Sequence, residues 1–378
     1  MRSNAFSRVP AVIVEKGAAV AIFSGEVGLQ FTTHLASRYS VPQWVELAAL
    51  AQRHHFAQLW VNDNLGHRNI FVLLTAIASK VPIKLGTAIL VPYFRNPIDT
   101  ADALATLSEC MDGREISVGM ARGDYAQAGN QLYMRKPIAM VKESVECLKS
   151  LLHGDAVTYS DYPVLGEFFN LRTDAKIRLG FAPKSPIRFY CGGNGPRIME
   201  IAGRIMDGVL IGGFFIPLVR SGRLSGLLEQ AELGRRNAAR AARLRKVCEI
   251  NISIDHESDA ARNFPKRYIA HMLVVLDAMG FSEEEFAALG VDRQRVIQIK
   301  KAFEAGGTIE QVSALITDAM VDIGFIAGTP SQCIDRLEEM CGYAQEYGFD
   351  QICLSKLGPH YDEAITVLSR DLLPSLVR

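Results

Sequence analysis

Short apolar runs alternate with longer stretches of helical period along most of the chain. The first strand-like run covers residues 27–32, and 42–56 follow with Trp44, Leu47, Ala48, Ala51 and Phe56 spaced along one helix face. Next come a strand at 59–62, a helix at 71–79, a strand at 83–89 and a helix opening at Pro97, where a missing N–H costs nothing. A fourth strand is predicted at 115–120, and there the rhythm breaks. Residues 124–134 read as loop, 136–152 as helix and 159–183 as irregular, so 124–183 is expected to be an insertion carrying the fourth helix. The alternation resumes with a strand at 187–191, a helix at 197–206, a strand at 208–211, one long helix at 217–245, and strands at 247–254 and 351–354. The mostly helical stretch 259–322 is too long for an ordinary connection and predicts a helical subdomain or lid between the last two strands. Eight strands alternating with helices imply parallel pairing. The predicted class is therefore α/β, a (β/α)8 TIM barrel with insertions rather than an open doubly wound sheet. Residues 1–26 lie outside this rhythm as an N-terminal extension, and 27–378 are expected to form one barrel domain.

Composition removes several alternatives. The 41 basic and 41 acidic residues balance, so no global field points to nucleic acid or to an anionic membrane. The seven cysteines are odd in number, scattered and without a Cys-x-x-Cys pair. That argues against a disulfide framework or a zinc site and suits a reducing cytoplasm; no metal is expected. The longest nearly continuous apolar run, 209–219, has 11 residues broken by two glycines and a proline, too short to span a bilayer. Arg2 and the apolar residues 9–14 resemble the start of a signal peptide, but Glu15 and Lys16 interrupt it.

A barrel of this kind carries its chemistry at the C-terminal ends of its strands. Those ends read Thr32-Thr33-His34, Asn62-Asp63-Asn64, Thr87-Ala88-Ile89, Met120-Ala121-Arg122-Gly123, Cys191-Gly192-Gly193-Asn194-Gly195, Ile211-Gly212-Gly213, Asn251 and Ser355-Lys356. Small residues outnumber titratable ones, which suits a large planar cofactor lying against backbone better than a carboxylate-driven hydrolase. Gly192, Gly193, Asn194 and Gly195, followed by Pro196, form a strand-to-helix turn whose amides suit a phosphate. The same run is equally read as a tight turn without a ligand, and it is not a dinucleotide fingerprint. Arg122 is a second candidate phosphate contact, or the partner of a loop carboxylate such as Asp124.

The stretch Leu85-Gly86-Thr87-Ala88-Ile89-Leu90-Val91-Pro92-Tyr93-Phe94-Arg95-Asn96-Pro97 resembles the luciferase-like superfamily. So do Ala101 to Leu107, Asp112-Gly113-Arg114, Val118 to Asp124, Lys136-Pro137, Gly193-Asn194-Gly195-Pro196 through Ala202-Gly203 to Asp207-Gly208, and Gly328-Thr329-Pro330. The resemblance runs from about Val27 to the C-terminus. Asn69, the Pro92 to Pro97 turn and Gly195-Pro196 are most similar to the group of F420-using methylenetetrahydromethanopterin reductases. It implies coenzyme F420 as cofactor, with FMN as the alternative, and a non-prolyl cis peptide at Ala88-Ile89 pressing on the back of the ring. Relatives often carry Asp-His after the second strand; here the pair is Asp63-Asn64, and asparagine cannot shuttle a proton.

The reaction so implied is hydride transfer between cofactor and a small organic substrate, with Asp63, Asn64 and His34 as the groups that could polarise it. The competing readings are an FMN-dependent monooxygenase and a flavin-binding protein without turnover. His54-His55 ends a helix, a structural place more than a metal one. The six basic residues from Arg235 to Lys246 read as a solvated helix face or as a docking surface for an anionic cofactor tail. Apolar positions in 281–289 and 296–303 suit helix packing, within the chain or across a homodimer or higher homo-oligomer.

Overall fold

Nearly continuous apolar strands, buried on both faces, close into a parallel barrel when helices cover the outside. The computed structural model describes residues 22–123 and 132–376. Its strands are β1 (Glu26–Phe31), β2 (Gln58–Val61), β3 (Lys84–Leu90), β4 (Ile116–Met120), β5 (Val157–Thr158), β6 (Lys176–Ile177), β7 (Ile187–Cys191), β8 (Gly208–Ile211), β9 (Arg245–Ile254), β10 (Ile326–Gly328) and β11 (Gln351–Ser355). Eight of them pair in parallel in the order β1-β2-β3-β4-β7-β8-β9-β11, and β11 returns to β1 with Val27 opposite Ile352. This is a closed (β/α)8 barrel. Trp60, Ala88, Tyr190, Leu210, Val247 and Cys353 pack against one another inside it, apart from the larger core between strands and helices.

Three elements depart from the sequence expectations. The insertion after β4 is not wholly irregular: β5 and β6 pair antiparallel, and a short helix spans Pro163–Phe168. The long helix expected at 217–245 is two, Phe215–Arg220 and Arg223–Asn237. Gly222 between them sits at φ 74°, a left-handed conformation that a glycine adopts without steric penalty. A ninth strand, β10, adds in parallel to the far end of β9. Between β9 and β10 run six short helices from Ser258 to Val321, with Phe281, Phe286, Val296 and Ile299 buried within this one chain. Residues 1–21, most of the N-terminal extension, and 124–131, including Asp124, lie outside the described residues.

Helices Pro196–Ile205 and Arg223–Asn237 cross at backbone contact. A Cβ built on Gly203 would lie 1.9 Å from the carbonyl oxygen of Ala231, and one on Gly234 would lie 1.9 Å from that of Glu200. This crossing holds the helix that follows β7 against its neighbour. All seven cysteines are free thiols and six are buried. No helix among the described residues is long and apolar enough to cross a membrane.

Candidate active site

The C-terminal end of β3 is irregular. Its register against β4 breaks between Thr87 and Leu90, and the Ala88-Ile89 peptide is cis, as the resemblance implies. Three neighbours hold this bulge. Gln30 of β1 donates its Nε2 to the Ala88 carbonyl at 2.6 Å, the Asp63 amide donates to the Ile89 carbonyl at 3.1 Å, and Thr87 Oγ1 donates to the Gly119 carbonyl at 2.9 Å. From the far side, Ile89 packs where a side chain on Gly192 would be: a Cβ there would lie 2.3 Å from Ile89 Cγ2.

Asp63 is not poised as an acid or base. Its carboxylate is 2% exposed and accepts two bonds from the Arg95 guanidinium, Nη1 to Oδ2 at 2.8 Å and Nη2 to Oδ1 at 3.0 Å. The Val91 amide also donates to Oδ2, at 3.3 Å. Nor does it cap the next helix, since Asn69 accepts from the Phe71 and Val72 amides there. Both carboxylate oxygens of Asp63 thus brace the turn behind the bulge. Asp63→Asn keeps the shape but leaves the mostly buried Arg95 without its counter-charge. Loss of about 3 kcal/mol of stability is expected, since breaking a buried pair one-sidedly costs ~3–5 kcal/mol. Chemical denaturation of the two proteins side by side measures it, and equal midpoints would remove this bracing role.

His34 sits between two asparagines. The Asn62 carbonyl oxygen accepts from the Thr33 amide at 2.8 Å, which orients the Asn62 amide nitrogen toward His34 Nδ1 at 3.1 Å. Asn64 Nδ2 lies 2.6 Å from the same nitrogen. Two donors converge on Nδ1, so Nδ1 accepts and the ring proton belongs on Nε2. His34 and Asn64 are therefore brought together at the mouths of β1 and β2, with Asn62, which the sequence marks only as a strand end, holding the ring between them. The neighbouring His67 ring, 5.8 Å away, is held below the ordinary imidazole value, first by burial and then by the Arg68 charge.

The glycine turn after β7 is partly used by the fold itself. The Gly192 amide donates to the Met120 carbonyl at 3.0 Å and the Gly193 amide to Cys191 Sγ at 3.4 Å. Two of the four amides in the turn are thus already engaged within the fold, and the helix Pro196–Ile205 begins directly after it. Among the described residues Asn194 Oδ1 is buried without a partner, while its Nδ2 reaches the Gly212 carbonyl at 3.5 Å. Burial pushes the Cys191 thiol up to about 12, so it is no nucleophile. Arg122 follows β4 on the same rim; Asp124, its expected carboxylate partner, is not among the described residues.

Two further polar side chains, Glu249 and Lys356, occupy the interior of this end of the barrel. Lys356 Nζ lies 2.8 Å from Glu249 Oε1 and 3.2 Å from Gln30 Oε1. Sequence reasoning named Lys356 only as a strand end and missed Gln30 and Glu249. The signal was present in β9, where Val247, Glu249, Asn251 and Ser253 alternate with apolar residues, placing two titratable or amide groups on the lumen side.

A cavity of about 850 Å³ opens at the opposite, N-terminal end of the barrel, lined by Glu26, His54, Lys84, Glu115, Arg245 and Asp350 among others. Its charges compensate one another: Lys84 pairs with Glu26 at 2.5 Å, Arg245 with Glu115 at 2.8 Å, and Arg243 with Asp350. Groups already neutralised at strand beginnings serve stability, and the chemistry belongs at the other mouth. Arg243, Arg245 and Lys246 lie at this end, which excludes them from docking a cofactor tail at the mouth. His54 Nδ1 is bound to Ser369 Oγ at 2.7 Å, a structural contact.

Comparison with known proteins places this geometry. Residues 26–351 match the family model of luciferase-like monooxygenases. The 5,10-methylenetetrahydromethanopterin reductase of Archaeoglobus fulgidus is 29% identical over 362 residues, covering 92% of this chain and 99% of that protein. Among solved structures, the coenzyme F420 dependent tetrahydromethanopterin reductase from Methanopyrus kandleri superposes with a TM-score of 0.72 at 23% identity, over 93% of this chain and 99% of that one. An F420-dependent secondary alcohol dehydrogenase, solved with an F420-acetone adduct, superposes with a TM-score of 0.67 at 18% identity, over 93% and 99%. With a barrel closed in the same way and a family match across most of its length, the chain belongs to the luciferase-like monooxygenase family.

Proposed function

We propose that the protein is an F420-dependent oxidoreductase, similar to the methylenetetrahydromethanopterin reductases, moving hydride between the cofactor and a small organic substrate. The observation that carries this reading is the braced bulge at Ala88-Ile89, on a barrel whose mouth is rich in small residues. The chain's own groups suit such a ligand. Asn194 Oδ1 is a buried acceptor in want of an O–H or N–H donor, which a polyol hydroxyl of the cofactor's side chain supplies. It is less suited to a phosphate oxygen, which is itself an acceptor.

When bound, the deazaflavin supplies the carbon that gives or takes hydride. Every other task falls to the protein. Ala88 and Ile89 form the floor that sets the ring's plane. Arg122, Gly195 and the first turn after Pro196 hold the phosphate, with Gly192 allowing the close approach of Ile89 and Gly193 that of Ile198. His34 and Asn64, brought together at the mouths of β1 and β2, hydrogen-bond a substrate heteroatom, and Asp63 contributes by fixing the turn at Val91 and Arg95. We read residues 27–378 as one barrel domain with its helical insertion, working in the cytoplasm, where seven free thiols persist. Association into a homodimer or higher homo-oligomer is part of the proposal. Sedimentation equilibrium should give a multiple of 41.6 kDa, and a single-chain mass would end that part.

The second reading, an FMN-dependent monooxygenase, is favoured by Arg122-Gly123 after β4. A side-by-side fluorescence titration with F420 and FMN separates the two. F420 is expected to bind at least about tenfold more tightly, a difference of ~1.4 kcal/mol. Tighter FMN binding, with the reduced complex reacting with oxygen, would replace the F420 assignment.

A further inference from the structure

Glu249, Lys356 and Gln30 form one chain of contacts that ends on the floor of the site. Glu249 and Lys356 pair inside the barrel with side chains only 6% and 16% exposed. Lys356 Nζ is also within reach of Gln30 Oε1, which fixes the amide so that Nε2 donates to the Ala88 carbonyl. A single primary amide therefore stands between a buried ammonium and the peptide on which the ring is proposed to lie. The backbone is bent to put it there. Lys356 and Leu357, neither of them glycine, take φ values of 71° and 57°, in the left-handed region that residues with a Cβ rarely adopt. The Leu357 carbonyl is tied to the Ile254 amide at 3.2 Å. Such strain is kept where the surroundings need the side chain in one place.

The charge has a use in hydride transfer. A hydride carries two electrons and one proton, so its addition to an uncharged ring leaves one negative charge until a second proton arrives. A fixed cation behind the floor favours that state, and its counter-ion Glu249 moderates the effect. We propose that Lys356 is a positioning residue that biases the site toward the reduced cofactor, acting through Gln30 on the Ala88 carbonyl and opposed by Glu249. This rests on the cofactor reading above.

The sign of two substitutions tests it. Oxidised F420, and F420 reduced chemically under anaerobic conditions, are titrated into the wild-type, K356M, K356R and E249Q proteins by fluorescence. The readout is the ratio of the two dissociation constants. K356M should lower the preference for the reduced form about tenfold, moving the potential of the bound pair about 30 mV more negative. E249Q, which removes the opposing charge, should move the ratio the other way, and K356R should hold it near wild type. A pair that only stitches β9 to β11 would make K356M and E249Q act alike, scaling both affinities together. That result, or an unchanged ratio, overturns the proposal while the cofactor assignment stands. If K356M fails to fold, the direction of E249Q decides alone: a rise supports the proposal, and a fall or no change overturns it. A wild-type protein that binds F420 in neither state defeats the cofactor assignment and this inference with it.

Discussion

Gly203→Val is expected to remove more than about 4 kcal/mol of stability, enough to leave most of the chain unfolded or insoluble. Natural domains hold only ~5–15 kcal/mol in reserve, and losses above ~4–5 kcal/mol arise from a short set of causes that includes overpacking. Here the obstacle is backbone. A Cβ at Gly203 meets the Ala231 carbonyl oxygen at 1.9 Å and the Arg235 amide at 2.6 Å, atoms that cannot turn aside as a side chain can. The helices Pro196–Ile205 and Arg223–Asn237 would have to separate, and Gly234 on the second helix meets the Glu200 carbonyl in the same way. Gly226 is the control. It lies on the second helix with nothing within 4 Å of its would-be Cβ, so Gly226→Ala should gain up to ~1 kcal/mol from helix propensity and a less free unfolded chain. Denaturation midpoints of the three proteins decide the matter. A soluble Gly203→Val variant with the wild-type midpoint would mean that the helices do not cross this closely.

The barrel was legible because its eight strands are short, apolar and separated by helices of clear period. What escaped has a common physical cause. β5 and β6 have two residues each and β10 has three, too few for any alternation to show; they exist because neighbouring chain offers them partners. The break at Gly222 did leave a signal, a glycine within a helical period, but a glycine in a helix is as often tolerated as it is a stop. At the site, the glycine turn was visible in its own residues and the cis peptide at Ala88-Ile89 through resemblance. The supports beneath them were not, because Arg95 reaches Asp63 and Lys356 reaches Gln30 only after the barrel has closed. Gln30 could have been found: an amide in the otherwise apolar run Gly28-Leu29-Gln30-Phe31, on a strand buried on both faces, must be hydrogen-bonded to something.

Gly192→Ala is expected to weaken cofactor binding about tenfold or more while lowering stability by only ~1–3 kcal/mol, the usual range for an extra methyl in a packed place. The new Cβ would meet Ile89 Cγ2 at 2.3 Å and Ala121 Cβ at 3.5 Å. Ile89 is branched at Cβ and has few rotamers to retreat into. Its escape is toward the face on which the ring is proposed to lie, or by shifting the bulge that Gln30 and Asp63 hold from behind. Either movement spoils the floor. Trimming the obstacle tests this cause directly, since Ile89→Ala removes the methyl that the new Cβ strikes. The Gly192→Ala, Ile89→Ala double variant should bind F420 better than Gly192→Ala alone, a coupling of the kind seen only between residues in contact. Titrations of the wild type, both single variants and the double variant give that coupling. If the two losses simply add, Ile89 is not what Gly192 makes room for, and the glycine serves the turn alone.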